Sequence, residues 1–459
     1  MQADLAIRGA TVIFQGAHPR DILITGGKIS ALVEAGALTA RTEIDARGLY
    51  ALPGLVDAHV HFNEPGRADW EGWESGSRAA AAGGVTTVLD MPLNSLPPVI
   101  DGAAFDLKRA AAERTSIVDF GLWGGLIGSD PAPLRELAAR GAVGVKAFLC
   151  DSGVPEFPSL SPLDDVYAFR AAADAGLLVA VHAEDDEIVA GATARIHAEG
   201  RHDPAAWLMS RPPVAEVRGV DRAWAAALET SARLHIVHIS SAAALAAIDD
   251  ARRAGVDVTA ETCPHYLVFD DTDVARLGPL LKCAPPIRDA ANREALWAAV
   301  THGRIDLIAS DHSPCLAADK ERGRENMFAA WGGVSGVQSL LPAVLTEAFA
   351  RGSSLHPDAI MHFAAWRMSS APAKRFGLAP RKGSLAVGAD ADIVLVDGVR
   401  EWVLEAGAVQ TRNALTPYVG RTFRGAVVRT LVRGATVYLD GEFPARPGHG
   451  RFIAAERAA

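Results

Sequence analysis

The chain has 459 residues, of which 49% are hydrophobic and 22% are charged, and its formal net charge is −10. This balance is ordinary for a folded globular protein and excludes a largely disordered chain. The acidic charge argues against nucleic acid or an anionic membrane as the main partner.

The cysteines indicate a reducing compartment. Cys150, Cys263, Cys283 and Cys315 lie far apart in the sequence and form no CxxC pair. Reduced thiols are therefore expected, rather than disulfides or a cysteine zinc site. No basic leader with an apolar core opens the sequence, and no apolar run approaches the ~20 residues that cross a bilayer. These features predict a soluble cytoplasmic protein.

The two ends of the chain have similar patterns of short β-like segments. The first fifty residues read as short β-like pieces, among them DLAIRGATVIF and DILITGGKISALVE. Similar pieces return in GADADIVLVDG and VVRTLVRGATVYLDGEF, and RGATV at 8–12 is repeated at 433–437. We expect one small β-sandwich domain built from residues 1–50 and 380–445, followed by a C-terminal tail at 446–459.

Between these ends, residues 51–379 alternate apolar strand-like runs with alanine-rich helical segments. The strand candidates are LVDAHVHF, TTVLDMP, FGLWGGLI, GVKAFL, LLVAVHAED, LHIVHIS, VTAETCPHYL and IDLIASDHS. One helical segment, SAAALAAIDDARRAG, ends in Gly255, which favours a helix stop there. Alternating strands and helices pair in parallel through crossovers, and eight such units in about 330 residues fit a (β/α)₈ TIM-like barrel. The alternative is an open doubly wound sheet, but its GxGxxG fingerprint is missing.

Polar side chains stand near the carboxyl ends of five of these strand candidates. They are His59 and His61 on the first, Lys146 on the fourth, His182 on the fifth, His238 on the sixth and Asp311 on the eighth. In a barrel these strand ends meet at one mouth, which carries the catalytic residues. Residues two apart on a strand face the same way, so His59 and His61 converge. Each residue alone is a weak signal, since single histidines usually pack in a core, but the set predicts a metal site.

These residues, in this order and context, resemble the amidohydrolase superfamily, and within it the cyclic amidohydrolases: allantoinases, dihydroorotases and hydantoinases. The segments HVHFNEPGR, DMPLNSLPP, KAFLCDSGVPEFP and SDHSPC are most similar to those of allantoinases. The resemblance covers essentially the whole chain. It implies hydrolysis of the cyclic amide of allantoin to allantoate in purine breakdown, by a homotetramer or homodimer.

The resemblance also implies a binuclear metal centre. It would hold two divalent ions, most suitably zinc but also iron, cobalt or manganese. One ion would be bound by His59, His61 and Asp311, and the other by His182 and His238. Lys146 would bridge both. Lys146 would bridge as N6-carboxylysine, formed from its amine and carbon dioxide. Nearby dications repel an ammonium and so favour the neutral amine that this needs. A bridging hydroxide would be the nucleophile, and Asp311 would act as general base and then acid.

The expected substrate contacts come from four further positions. Dihydroorotases carry an arginine for the substrate's carboxylate where this chain has Asn63, although Arg67 could take that role. An asparagine suits the neutral ureido group of allantoin instead. Asn94 is a second candidate, with a turn residue before Pro-Pro as the alternative interpretation. Backbone groups of Ala284 and Gly332 match positions that contact the ring in hydantoinases.

Two alternative functions stay open at this point. Hydantoinases and dihydropyrimidinases usually place a tyrosine in the loop after the bridging lysine, where this chain has Asp151. That difference counts against them. A metal-free scaffold protein related to dihydropyrimidinase would typically have lost ligands, whereas all six positions are filled here. The segment WGGVSGVQ matches no phosphate-binding pattern and favours a tight backbone near the site.

Overall fold

Strands from both ends of the chain form one mixed sheet in the computed structural model, which describes residues 2–456. Its strands are β1 (Ala3–Ile13), β2 (Ala17–Thr25), β3 (Lys28–Val33), β4 (Ala40–Asp45), β5 (Tyr50–Pro53), β15 (Ile393–Val403), β16 (Thr422–Val432) and β17 (Ala435–Leu439). The order is β17-β16-β15-β5-β1-β2-β3, and the sheet forks at β1, which pairs with β4 along its first half and β5 along its second.

The antiparallel β5–β15 pair joins the two chain ends. This confirms the predicted β unit from both termini. Its strands reach Pro53 and resume at Ile393, while the exact domain limits at 50 and 380 stay a prediction. Residue 1 and residues 457–459 of the expected tail lie outside the described residues.

Eight parallel strands in the middle of the chain form the barrel. They are β6 (Leu55–Val60), β7 (Val85–Asp90), β8 (Asp119–Leu122) with its continuation β9 (Gly124–Gly125), β10 (Val145–Phe148), β11 (Val179–His182), β12 (Leu234–Ile236), β13 (Val258–Thr262) and β14 (Leu307–Ile308). A parallel bridge from Val60 to His312 closes the ring, supported by a 2.8 Å bond from His61 N to His312 O. These strands are almost entirely buried, as expected where both faces of a parallel sheet are covered.

Helices cover the outside of the barrel and fill its connections. They are α1 (Trp73–Ala82), α2 (Gly102–Thr115), α3 (Pro131–Ala139), α4 (Asp165–Asp174), α5 (Asp186–Ala198), α6 (Pro204–Ser210), α7 (Pro213–Thr230), α8 (Leu245–Arg253), α9 (Pro264–Val268), α10 (Asp271–Leu277), α11 (Ala290–Thr301), α12 (Ala317–Glu321), α13 (Leu340–Arg351), α14 (Pro357–Ala365) and α15 (Ala371–Arg375). Aspartates cap several N-termini; Asp101, for example, accepts from Ala104 N at 2.8 Å. Gly255, at φ 86°, follows the end of α8, as its sequence predicted.

Two further observations concern the cysteines and the apolar character of the helices. All four cysteines are free and buried. Within residues 2–456, helices long and apolar enough to span a membrane are absent.

Candidate active site

The structure brings the six candidate ligands together on the wall of one cavity of about 670 Å³ at the carboxyl ends of the barrel strands. They are His59, His61, Lys146, His182, His238 and Asp311. Each is largely buried, with exposure between 1% at His59 and 8% at Asp311. The parallel strands cause this convergence, because their carboxyl ends open on the same mouth.

His59, His61 and Asp311 form the first cluster. Both imidazole Nε2 atoms face one Asp311 oxygen, at 3.2 Å from His59 and 3.5 Å from His61. Burial alone would raise the pKa of the Asp311 carboxyl, but the two imidazoles hold it well below its usual range. Asp311 has a φ of 45°, a conformation that aspartate tolerates better than most residues. The cluster offers two nitrogens and a carboxylate oxygen to a single ion.

His182 and His238 form the second cluster. His182 Nδ1 lies 3.1 Å from His238 Nε2, and the His238 ring centroid is 5.5 Å from that of His59. Burial lowers the pKa of both imidazoles, most strongly at His238. The two rings are therefore neutral at physiological pH, which is the form that ligates metals.

Lys146 lines the same cavity as the two clusters. Its Nζ is buried and has no hydrogen-bond partner among the described residues, and burial lowers its pKa to about 8. It interacts electrostatically with Asp311 of the first cluster and with His238 of the second. An unpaired ammonium in such a place is costly, so the position suits an amine that a further group completes. Neutral imidazoles, a carboxylate and this orphaned amine together fit a pair of divalent cations.

A buried carboxylate on strand β13, two strands away around the barrel, orients His59. Glu261 accepts from His59 Nδ1 at 2.6 Å and from His235 Nε2 at 3.1 Å. Burial opposes ionisation of Glu261, but the two imidazoles outweigh it and lower its pKa to about 2. Because Nδ1 donates its proton to this carboxylate, the lone pair of His59 Nε2 remains available to a metal ion.

Glu184 does the same for His182. Its Oε2 accepts from His182 Nε2 at 2.8 Å and from Arg211 at 2.6 Å, which leaves His182 Nδ1 free. Sequence reasoning did not single out Glu184, Glu261 or Arg211. The available signal was a carboxylate inside or just after an apolar strand, as in VAVHAED and VTAETC.

The predicted substrate contacts fall into two groups. Asn94, Ala284 and Gly332 line the cavity, and the Asn94 Oδ1 has no partner among the described residues. Asn63 is not among the lining residues: it is fully buried, and its Nδ2 donates to Pro314 O at 3.4 Å. Arg67 donates to the Asn94 carbonyl at 3.1 Å and is likewise outside the lining.

A sequence model of the amidohydrolase family matches residues 50–437. The chain belongs to the amidohydrolase family. Membership implies hydrolase activity at a divalent metal centre, which agrees with the prediction from the six residues. It also weighs against the metal-free scaffold, since all six positions are filled and converge.

Curated relatives within the amidohydrolase family extend over the full chain. An allantoinase of Rubrobacter xylanophilus is 47% identical over 457 residues, covering 99% of this chain and 98% of that protein. Allantoinases of Solibacter usitatus and Deinococcus radiodurans are 46% and 44% identical, covering 97% and 99% of this chain and 96% and 99% of those proteins.

Solved structures of amidohydrolases share the fold. The L-hydantoinase (dihydropyrimidinase) from Arthrobacter aurescens superposes with a TM-score of 0.94 at 32% identity, covering 99% of this chain and 100% of that one. A dihydropyrimidinase from Brevibacillus agri gives a TM-score of 0.91 at 30% identity, with 99% of each chain covered. The predicted barrel with its additional β unit is thereby confirmed.

Proposed function

We propose that the protein hydrolyses the cyclic amide of allantoin to allantoate. The observation that carries the proposal is the convergence of six buried side chains, two of them the HxH pair, on the wall of one cavity. The choice of allantoin is supported by allantoinases that are 44–47% identical over nearly the full length of both chains.

The proposed centre contains two divalent ions, most suitably zinc, with Lys146 carboxylated by carbon dioxide. His59, His61 and Asp311 would hold one ion, and His182 and His238 the other. When bound, such ions supply Lewis acidity and lower the pKa of a water. Glu261 and Glu184 keep His59 and His182 in the tautomers that this requires.

Asp311 is the proposed proton carrier. Its carboxyl pKa is held low, so it is ionised at neutral pH and can accept the proton of the attacking water. It then delivers that proton to the ring nitrogen as the amide carbon–nitrogen bond breaks. A buried location lets the carboxylate do this without competition from bulk water.

The cavity suits a neutral ureide better than a carboxylate substrate. Arg211 is the one arginine on the lining within residues 2–456, and Glu184 already pairs with it. The described cavity lining therefore contains no unpaired guanidinium that could bind the carboxylate of dihydroorotate. Asn94 offers an amide and the backbone at Ala284 and Gly332 offers further polar groups. Direct contact between substrate and the buried Asn63 stays a prediction.

The second candidate is hydantoinase or dihydropyrimidinase activity. It is favoured by the TM-score of 0.94 to the Arthrobacter enzyme. Against it, the described cavity lining contains Asp151 but no tyrosine that could help stabilise an oxyanion.

A substrate panel tests the proposal. The purified protein, supplied with zinc, manganese or cobalt, is assayed on allantoin, dihydroorotate, hydantoin and dihydrouracil. We expect the highest kcat/KM on allantoin. Preference for dihydroorotate or for hydantoin would contradict it and would shift the assignment to the corresponding relative.

We also propose a cytoplasmic location and a homotetrameric or homodimeric assembly. Four free, buried cysteines support a reducing compartment. The molar mass of the purified protein, measured by light scattering, distinguishes a homotetramer from a homodimer.

A further inference from the structure

One wall of the cavity is an irregular segment between α12 and α13. Five residues of the segment 328–333 line the cavity: Phe328, Ala330, Trp331, Gly332 and Gly333. Apart from a short 3₁₀ turn at Met327–Ala329, the segment has no helix or strand bonds of its own. Something other than secondary structure must therefore fix where this wall stands.

Both ends of the segment are anchored. Asn326 Oδ1 accepts from Phe328 N at 3.0 Å at its start. At its end, Gly333 packs so closely that a Cβ there would come within 2.3 Å of Ser313 O, and Ser313 N donates to Val334 O at 3.0 Å. The first contact is local, and the contacts at Gly333 and Val334 hold the end of the segment against the loop that follows Asp311.

Two buried lysines hold the middle. Lys282 Nζ donates to Phe328 O at 2.8 Å and to Ala330 O at 2.6 Å. Lys320 Nζ donates to Trp331 O at 2.9 Å and to Gly333 O at 2.6 Å. Four of the six carbonyls of segment 328–333 thus receive their donors from two side chains.

These two lysines are buried without a carboxylate partner, which is unusual for lysines with a purely structural role. Lys282 is 4% exposed and Lys320 8%, and neither forms an ion pair with a carboxylate in the described part of the chain. Lys282 Nζ also lies 4.3 Å from the centre of the Trp207 ring. Burying two ammonium groups against carbonyls alone is unfavourable for stability, so the stability of the fold does not account for them.

We propose that Lys282 and Lys320 are positioning residues that hold segment 328–333 as the substrate-facing wall of the cavity. Lys320 lies outside the cavity lining and sets substrate affinity through the backbone, whereas Lys282 also lines the cavity itself. Without their donors, the buried carbonyls would lose their partners and the segment would shift. The inference rests on the proposed function for its kinetic consequence, but its structural consequence is independent of substrate.

The test compares Lys320→Met with Lys374→Met, an exposed lysine on α15 that serves as the control. Three readouts are measured on metal-loaded protein: hydrogen exchange of peptides that cover 328–333, metal content, and KM and kcat on allantoin. For Lys320→Met we expect faster exchange confined to that segment and unchanged metal content. We also expect KM to rise about tenfold while kcat changes less than about threefold. The control is expected to match the wild type.

Two results would overturn the inference. One is exchange and KM equal to those of the control. The other is a loss of metal together with faster exchange throughout the barrel, which would indicate a general structural role. If Lys320→Met does not fold, Lys282→Met is judged by hydrogen exchange and metal content alone, because Lys282 lines the cavity and could change KM directly. If the wild type does not hydrolyse allantoin, the proposed function fails, and the exchange comparison alone decides this inference.

Discussion

At the scale of single residues, two buried lysines show how surroundings separate a site residue from a structural one. Lys146 Nζ has no hydrogen-bond partner among the described residues, and burial lowers its pKa to about 8. Lys382 Nζ lies 2.5 Å from Asp119 and 2.6 Å from Asp392, and these carboxylates raise its pKa above its ordinary value despite burial. The first lysine has no partner among the described residues, which suits the proposed carboxylation, whereas the charge of the second is balanced by carboxylates.

Replacing Lys146 by alanine is expected to abolish turnover. The variant would lack the proposed bridge between the two ions, so activity should fall by more than ~100-fold, beyond the usual effect of removing a residue that only orients a metal ligand. Short carboxylic acids should restore part of the activity by supplying the missing oxygens. Turnover and bound metal are measured with and without acetate or propionate, and Lys374→Ala is the control. Full activity without additives would show that Lys146 does not bridge.

Asn94→Gly tests the side chain that faces the cavity. Asn94 has a φ of 69°, so glycine keeps the backbone conformation while removing the amide. Loss of a hydrogen bond to the ring of the substrate allantoin should raise KM about tenfold with little change in kcat. Steady-state kinetics on allantoin check this. An unchanged KM would return Asn94 to the role of a turn residue.

At the scale of elements, helix α7 holds the loop that follows His238. Its Glu216 is buried and accepts from Ser240 N at 2.9 Å and from Ser240 Oγ at 2.8 Å. Burial raises the pKa of Glu216 from 4.5 to about 7, although Arg288 and Ser240 oppose the shift. The helix thus positions the loop after His238, a candidate metal ligand, through a carboxyl group whose pKa lies at about 7.

Glu216→Gln is expected to flatten part of the pH dependence of stability. A raised carboxyl pKa stabilises the folded state fully below the unfolded value of 4.5, and this contribution is lost as pH rises through about 7. From pH 5 to pH 8 the wild type should therefore lose roughly 1–3 kcal/mol more unfolding free energy than the variant. Urea unfolding at both pH values, with metal held constant, measures the difference. Equal losses of unfolding free energy in the wild type and the variant would contradict this prediction.

At the scale of the whole molecule, a buried ion cluster joins the barrel to the β unit. Asp119 on strand β8 faces Lys382 and Arg433, and Lys382 also contacts Asp390 and Asp392. These groups come from distant parts of the chain and lie at the amino end of the barrel strands, opposite the candidate active site. The cluster contains ligand types that suit a metal, but the lysine and arginine already neutralise it.

Lys382→Met is expected to destabilise the fold by about 3–5 kcal/mol, because it leaves buried carboxylates without their cation. Lys28→Met is the matched control, since Lys28 contacts the same Asp390 at 3.4 Å from the surface and is 55% exposed. That exposed pair should contribute ~1 kcal/mol or less. Thermal unfolding of both variants measures the contrast. Equal transition temperatures would show that the cluster is not a structural tie.

Much of the architecture could be predicted because it depends on local pattern. A barrel strand covered on both faces must be a continuous apolar run, and the eight runs in the sequence correspond to the eight strands from β6 to β14. A histidine, lysine or aspartate at the end of such a run stands out because burying it is costly. Spacing alone also indicated that His59 and His61 converge, and Gly255 that α8 ends before it.

Other features depended on contacts between residues far apart in the chain. His59 and Glu261 are separated by 202 positions, and Lys320 reaches carbonyls that no periodicity connects to it. Asn63 follows the HxH pair directly, yet a left-handed φ of 64° and the Pro314 carbonyl hold it away from the cavity lining. Apolar runs of strand length identify the barrel strands and the β pieces at both chain ends, and they make the polar residues at the strand ends stand out as site candidates. The side chains that orient these candidates, and the backbone segment that forms one wall of the cavity, depend on packing in space, because hydrogen-bond partners are set by tertiary contacts.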